Sequence, residues 1–316
     1  MTHPRLAITG LGLCTPLALD LLCTEASAVL PREDLAGLPD DRSAMVERVD
    51  LRAWLKRRKD RKLMARAAQL ALAAAGPAAQ GWPGDRCELG IFLGVGREQG
   101  DEGESEAALL AAQRDGRVDL ARVAGPCRDL YPPLLPLKTL PNMALAHISI
   151  HLDVCGENGA WAGGAGAGMT AMRAGCWAVL EGRVPAALVG AADSLTAGGN
   201  IRDRYRLGGA QPSPVGEAGV MFLVETEAAA AERGAPIFGW FAVPPMGTPG
   251  RAVDHHTRLG DCGAADGVLA LALAMLRRES RVTVAAADVG HPAMPLEISV
   301  DDACACYTSA GSRGNA

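Results

Sequence analysis

The sequence has no basic excess, few aromatic residues, no paired-cysteine motif and no apolar run long enough to span a bilayer. Its 316 residues carry 31 Lys and Arg against 36 Asp and Glu, a formal charge of -5. That balance lacks the net basic face that neutralises phosphates, so nucleic acid is excluded as a general partner. The most apolar helix candidate, Gly263 to Leu276, is interrupted by Asp266 and falls short of the roughly 20 residues a membrane span needs, so no membrane segment is expected. The first residues run almost directly into Leu6-Ala7-Ile8-Thr9-Gly10 without the charged and apolar regions of a secretory leader, and a cytoplasmic location is the expectation. The nine cysteines, Cys14, Cys23, Cys87, Cys127, Cys155, Cys176, Cys262, Cys304 and Cys306, are odd in number and widely scattered. They suggest neither a disulfide framework nor a structural zinc site, and Cys304 with Cys306 supplies only two ligands. No metal and no cofactor is expected. Aromatics are only 4% of a chain that is 49% hydrophobic, so Ala, Val and Leu with 38 Gly supply the core. Small residues let helices and strands approach closely, which favours layered α/β packing.

Strand and helix patterns alternate along the chain. A strand from Arg5 ends in Gly10-Leu11-Gly12, too few glycines for a dinucleotide fingerprint and followed by Pro16. A helical stretch follows from about Leu17. Residues 33–53 are charge-dense and read as a surface excursion. Next come the basic run Lys56 to Lys62 and a helix from Leu63 to Ala75, ended by Gly76-Pro77. Strands are expected at Leu89 to Val95, Ala160 to Ala162, Ala186 to Ala192 and Gly219 to Glu225. Helices are expected at Leu140 to Leu152 and Gly166 to Leu180, with an acidic helix start at Asp101 to Glu106 and a proline-rich loop from Gly125 to Pro136. After Gly234 the pattern restarts: strand Ile237 to Val243, a loop from Pro244 to Arg258, helix Gly263 to Arg278, and strands near Val282 to Ala286 and Leu296 to Val300. Two unequal halves are expected, residues 1–233 and residues 234–316.

Several segments, in order, resemble the β-ketoacyl synthases. Ala7-Ile8-Thr9-Gly10-Leu11-Gly12 with Thr15-Pro16-Leu17 is similar to the family's V-x-T-G-x-G and S-P-L-G. Leu140-Pro141-Asn142-Met143-Ala144 matches L-P-N-M-A, Gly156-Glu157-Asn158 resembles G-P-N, and Val189-Gly190-Ala191-Ala192-Asp193 resembles A-G-G-A-E. Gly216 to Glu225 is similar to G-E-G-A-G-V-L-V-L-E, and Gly263-Ala264-Ala265 opens a helix as in G-H-T-L-G-A-A-G. The resemblance implies a thiolase-like layered αβαβα fold with a shortened second half.

It also implies where the chemistry should sit. The family places a cysteine at the N-terminus of a buried helix, where amide N–H groups favour thiolate and stabilise an oxyanion. Aligned on Gly156-Glu157-Asn158, that elbow falls on Gly163, Gly164, Ala165 and Gly166, with Ala165 at the nucleophile position. The family's H-G-T-G-T loop has no counterpart, and His255 and His256 in the shortened loop are expected as a solvent-exposed doublet. The second catalytic histidine falls on Gly260, or on Asp261 with one deletion. The C-terminal N-S-F-G-F-G-G turn is unmatched near Ser299 to Ala303. Losing one member of such a concerted group removes most of the rate.

The resemblance therefore implies a catalytically inactive partner or scaffold, like a chain-length factor, for an active ketosynthase in fatty-acid or polyketide-type synthesis. Ala160, Trp161 and Ala162 form the strand that pairs across the family's dimer twofold, as homodimer or heterodimer. Two alternatives stay open: an acyl-thioester transferase or malonyl decarboxylase with other catalytic residues, and a scaffold unrelated to acyl chemistry. The run containing Lys56, Arg57, Arg58 and Lys59 is either a landing patch for an acidic acyl carrier protein or a plain solvated helix start. His147 and His151 have zinc-pair spacing but no third ligand, and helix packing is expected. Met143, Met169 and Met172 are expected to fill core gaps.

Overall fold

The computed structural model describes residues 4–97, 103–197, 201, 213–288 and 292–308. Ten strands form the main sheet: β1 (Arg5–Cys14), β2 (Val29–Pro31), β3 (Arg42–Ala44), β4 (Gly90–Gly96), β5 (Asn158–Gly163), β6 (Ala186–Ser194), β7 (Val215–Thr226), β8 (Gly239–Ala242), β9 (Val282–Ala286) and β10 (Met294–Ser299). The spatial order is β9-β10-β8-β1-β7-β6-β4-β5, with β2 and β3 attached beside β7. The β5-β4-β6 end is parallel, and the rest of that path is antiparallel.

Five helices matter for the site: α1 (Arg66–Ala79), α2 (Met143–Leu152), α3 (Ala165–Leu180), α4 (His256–Leu259) and α5 (Asp266–Leu276). Helices α1 and α2 pack on one face of the central strands. Their cluster joins Leu70, Leu72 and Ile148 to Leu93, Leu188 and Leu223. On the other face, α3 packs on β4-β6 and on β9-β10, and α5 packs on α3 and on β9-β10, so the sheet curls around them. The cluster there joins Met169 and Met172 to Val189, Phe222, Leu269 and Ile298. Layered α/β packing thus follows from strands buried on both faces, as β6 and β7 are along almost their whole length.

Glycines permit the closest contacts. A Cβ on Gly12 of β1 would lie 1.8 Å from the Ala74 carbonyl oxygen of α1, and one on Gly94 of β4 would lie 2.3 Å from Gly168 Cα of α3. Gly10 and Gly12 therefore lie within β1 and do not end it, and the strand runs on to Cys14.

Three expectations are corrected. Helix α1 starts later than Leu63 and continues through Gly76-Pro77 to Ala79. Pro77 sits in the last turn, where its ring leaves the Ala73 carbonyl without an i→i−4 N–H partner. Gly76 stays helical because Trp54 covers it, with ring carbons 2.2 Å from where a Cβ would stand. Second, the charge-dense excursion is partly core: Ser43 and Ala44 pair in parallel with Val215 and Gly216, and Val46, Val49 and Leu51 are buried. Third, the proline-rich loop contains a short helix, Leu135–Thr139, with Pro136 in its first turn, where the ring is tolerated. The acidic segment forms part of a helix, Gly103–Ala111, and Asp101 lies outside the described residues. Among the described residues no helix is long and apolar enough to cross a membrane.

Candidate functional site

Strand β5 passes through Gly163 and Gly164 directly into α3, whose first residue is Ala165. Ala165 stands half-buried at the helix N-terminus. What faces the elbow is Asp288, on the segment after β9. The Gly166 N–H donates to Asp288 Oδ1 at 3.3 Å. A Cβ on Gly163 would lie 2.6 Å from Asp288 Oδ2, and one on Gly164 the same distance from Oδ1. A carboxylate thus occupies the end of α3, where the helix dipole and open amides attract negative charge. Asp288 is 122 positions from Gly166 and belongs to no recognisable motif, so no sequence signal pointed to it.

Three buried or half-buried thiols elsewhere are poor nucleophiles. Burial pushes the Cys14 and Cys176 thiols up to about 12. Burial, followed by the charges of Asp266, Asp261 and Asp193, raises Cys262 far above the ordinary thiol range.

The segment that the resemblance aligns with the family's second histidine has a backbone suited to glycine. Gly260 has φ +70°, and a Cβ there would lie 2.4 Å from the Val215 carbonyl oxygen. Asp261 bridges to the start of β7: its N–H donates to Pro214 O at 2.8 Å, and its carbonyl accepts from Gly216 N–H at 2.7 Å. Its Oδ1 accepts the Gly263 N–H at 2.9 Å.

The solvent-exposed histidine doublet is not observed. His255 is 1% exposed, and its Nε2 lies 3.1 Å from Asp266 Oδ1. His256 is half-buried with Nε2 2.8 Å from Asp266 Oδ2. The turn at Gly260 folds α4 back onto the start of α5, and that reversal, invisible as spacing, brings the three together. Burial alone would raise the Asp266 carboxyl, but the hydrogen bonds from His255 and His256 together hold it well below the usual carboxylate range.

Nearby, buried Asp193 at the end of β6 accepts N–H bonds from Ser194 at 2.8 Å and Ala264 at 3.0 Å. Its carboxyl is nevertheless pushed up to about 7, chiefly by burial. Glu217, the glutamate of the G-E match, is fully buried and accepts from Val46 N–H, Arg66 Nη2 and Ser194 Oγ at 2.8, 2.6 and 2.8 Å. It is a structural hub tying β3, α1, β6 and β7.

The basic run divides. Lys56 pairs with Asp153, and Arg57 with buried Asp60 at 3.1 Å. Arg58 and Lys59 line an open groove of about 870 Å³ with Arg61, Lys62, Lys138 and the neutral Met64 and Gln69. The segment is a short 3₁₀ helix, Arg58–Leu63, preceding α1. His147 and His151 pack against it, as expected for helix packing: His147 Nε2 meets Leu63 O at 3.3 Å, and Lys56 N–H donates to His151 Nδ1 at 3.3 Å. Met169 and Met172 are fully buried fillers, and Met143 is half-buried. Trp161 is half-buried on β5 between exposed Ala160 and Ala162, and β5 closes one end of the sheet.

A curled sheet around two helices, with a strand-to-helix glycine elbow, is the thiolase-like arrangement. The sequence model of the β-ketoacyl synthase N-terminal domain matches residues 4–218. The chain belongs to the β-ketoacyl synthase family. Solved structures with the same fold include the ishigamide ketosynthase/chain length factor, at TM-score 0.75 and 17% identity over 95% of this chain and 100% of that one. A β-ketoacyl synthase from Burkholderia phymatum STM815 has TM-score 0.72 and 16% identity over 94% and 100%. A third is a type II polyketide synthase acyl-carrier protein in complex with its ketosynthase bound to the hexaketide, at TM-score 0.71 and 14% identity over 94% and 100%. No curated protein matches the sequence.

Proposed function

We propose that this chain is a non-condensing member of the family that associates with a catalytically competent ketosynthase in fatty-acid or polyketide-type synthesis. We take residues 1–233 as a nearly complete thiolase-like half and residues 234–316 as an abbreviated one. The observation that carries the proposal is the elbow: Ala165 offers no nucleophile, and the Asp288 carboxylate accepts the Gly166 N–H beside it, in the place where an oxyanion would need open donors. A carboxylate there repels the negative charge that condensation develops. Gly260 and Asp261, at the family's second histidine position, provide no imidazole.

Association is supported by β5, whose exposed edge pairs only with β4 in the described sheet. Unpaired strand edges are costly and invite another strand. Among the solved relatives, one is a ketosynthase with its chain length factor and another a ketosynthase with its acyl-carrier protein. The groove bounded by Arg58, Lys59, Arg61, Lys62 and Lys138 suits the acidic face of such a carrier.

The test is co-expression with the products of neighbouring genes, isolation of any cysteine-containing ketosynthase that co-purifies, and assays of each purified species. The expected outcome is a stable complex and no malonyl-carrier decarboxylation or acyl transfer by this chain alone. Turnover by the chain alone, persisting after contaminants are removed, overturns the proposal. Ala165→Cys is expected to fold and remain without condensing activity, because Asp288 and the missing histidines are unchanged; intact-protein mass spectrometry after incubation with acyl carrier and malonyl carrier reads the outcome.

A further inference from the structure

The cluster of His255, His256 and Asp266 has no part in the proposed association. Its ligand atoms, two imidazole nitrogens and a carboxylate oxygen, all lie within 4.8 Å of one another. A tetrahedral zinc ion bound through nitrogen and oxygen at about 2.0–2.2 Å spaces its ligand atoms by roughly 3.4 Å. The observed 3.1 Å from His255 Nε2 to Asp266 Oδ1 and 2.8 Å from His256 Nε2 to Oδ2 are within reach of that spacing.

We propose that His255, His256 and Asp266 bind a divalent cation of the zinc class, with His256 on the side open to solvent. Both histidines present Nε2 to the same carboxylate from the two positions that begin α4. The Cys262 N–H donates to Asp266 Oδ1 at 2.8 Å, orienting the carboxylate from behind as an outer-shell donor does at metal sites. Burial of His255 and Asp266 fixes two of the three ligands in place. The 35% exposure of the His256 side chain leaves a path for the ion and for a water as fourth ligand. The surrounding charge also favours a cation: the carboxylates of Asp266 and Asp261 are the leading charges acting on buried Cys262.

The same contacts are hydrogen bonds when each imidazole carries its proton on Nε2. A metal ion takes the place of those two protons, each imidazole either moving its proton to Nδ1 or having shed it as imidazolium. Imidazole and carboxylate together suit zinc or cobalt better than magnesium or calcium, which prefer all-oxygen sets.

The test uses the full chain, stripped with a chelator and titrated with Co²⁺ and then Zn²⁺. The exposed pair Cys87 and Cys155, with sulfurs 3.5 Å apart, is first changed to serine so that thiolates cannot supply the signal. The expected result is one equivalent bound, a cobalt visible spectrum without sulfur charge-transfer bands, and a rise in Tm with Zn²⁺. His256→Ala is expected to weaken the affinity at least tenfold and abolish that rise while leaving the far-ultraviolet circular dichroism unchanged. Asp266→Asn is the second variant, and if it fails to fold, His256→Ala decides. Absence of stoichiometric binding, or affinity unchanged by His256→Ala, overturns the proposal.

Discussion

Two imidazoles clip the basic segment onto α2. His147 and His151 stack with ring centroids 5.8 Å apart, and His147 Nδ1 and His151 Nε2 are buried without a hydrogen-bond partner. Burial holds both below the ordinary histidine range. Their folded pKa values lie under the unfolded one, so between the two the unfolded chain binds more protons and stability rises with pH. Stability is therefore lost as pH falls through about 6.5 toward the depressed folded values. Asp193 opposes this: its carboxyl, raised to about 7, loses stability as pH rises from about 4 to 7. The histidine contribution is thus read as a difference. The urea-unfolding free energy of the parent minus that of His147→Gln/His151→Gln is expected to fall between pH 7.5 and 5.5. A second residue-scale prediction concerns Glu217. Arg66→Met leaves its carboxylate buried with two donors removed, and an unpaired buried charge costs about 3–5 kcal/mol. Adding Glu217→Gln is expected to recover part of the loss in equilibrium unfolding.

At the scale of elements, what a segment packs against decides where it begins and ends. Gly10 and Gly12 face α1, and Gly219 of β7 does the same, with a Cβ there falling 2.3 Å from Leu70 O. Gly12→Val has no room to relax, because the obstructing atoms are backbone. It is expected to destabilise by at least about 1–3 kcal/mol, measured as a lower urea midpoint, whereas Gly37→Ala in an open turn costs less and acts only through its positive φ of 90°. The type of the major elements was legible because hydrophobic periodicity reports burial on one or both faces. The end of α1 was not, since Trp54 shelters Gly76 from a distant part of the chain. Segment 42–51 looked like a surface excursion because its charges are frequent. Its burial comes from pairing with β7 some 170 positions away, as the Val46 to Glu217 bond, with a separation of 171, illustrates.

For the whole molecule, the sheet has a buried centre and one end closed by β5. If that strand pairs across a twofold, Ala160→Lys/Ala162→Lys places like charges opposite one another and is expected to convert a dimer to monomer. Light scattering after gel filtration, at matched concentrations, checks this; an unchanged mass would remove β5 from the interface. The family was legible in the sequence, because its motifs recur in order along the chain, from Ala7-Ile8-Thr9-Gly10-Leu11-Gly12 to Gly263-Ala264-Ala265. The resemblance aligned Ala165 with the family's elbow, while the residue pattern began that helix at Gly166, one position after its first residue in the structure. Only the tertiary structure brought Asp288 to that terminus and turned an expected exposed histidine doublet into a buried cluster with Asp266. Both depend on chain reversals that place side chains from separate segments within hydrogen-bonding distance. No composition, periodicity or spacing encodes such a meeting in readable form.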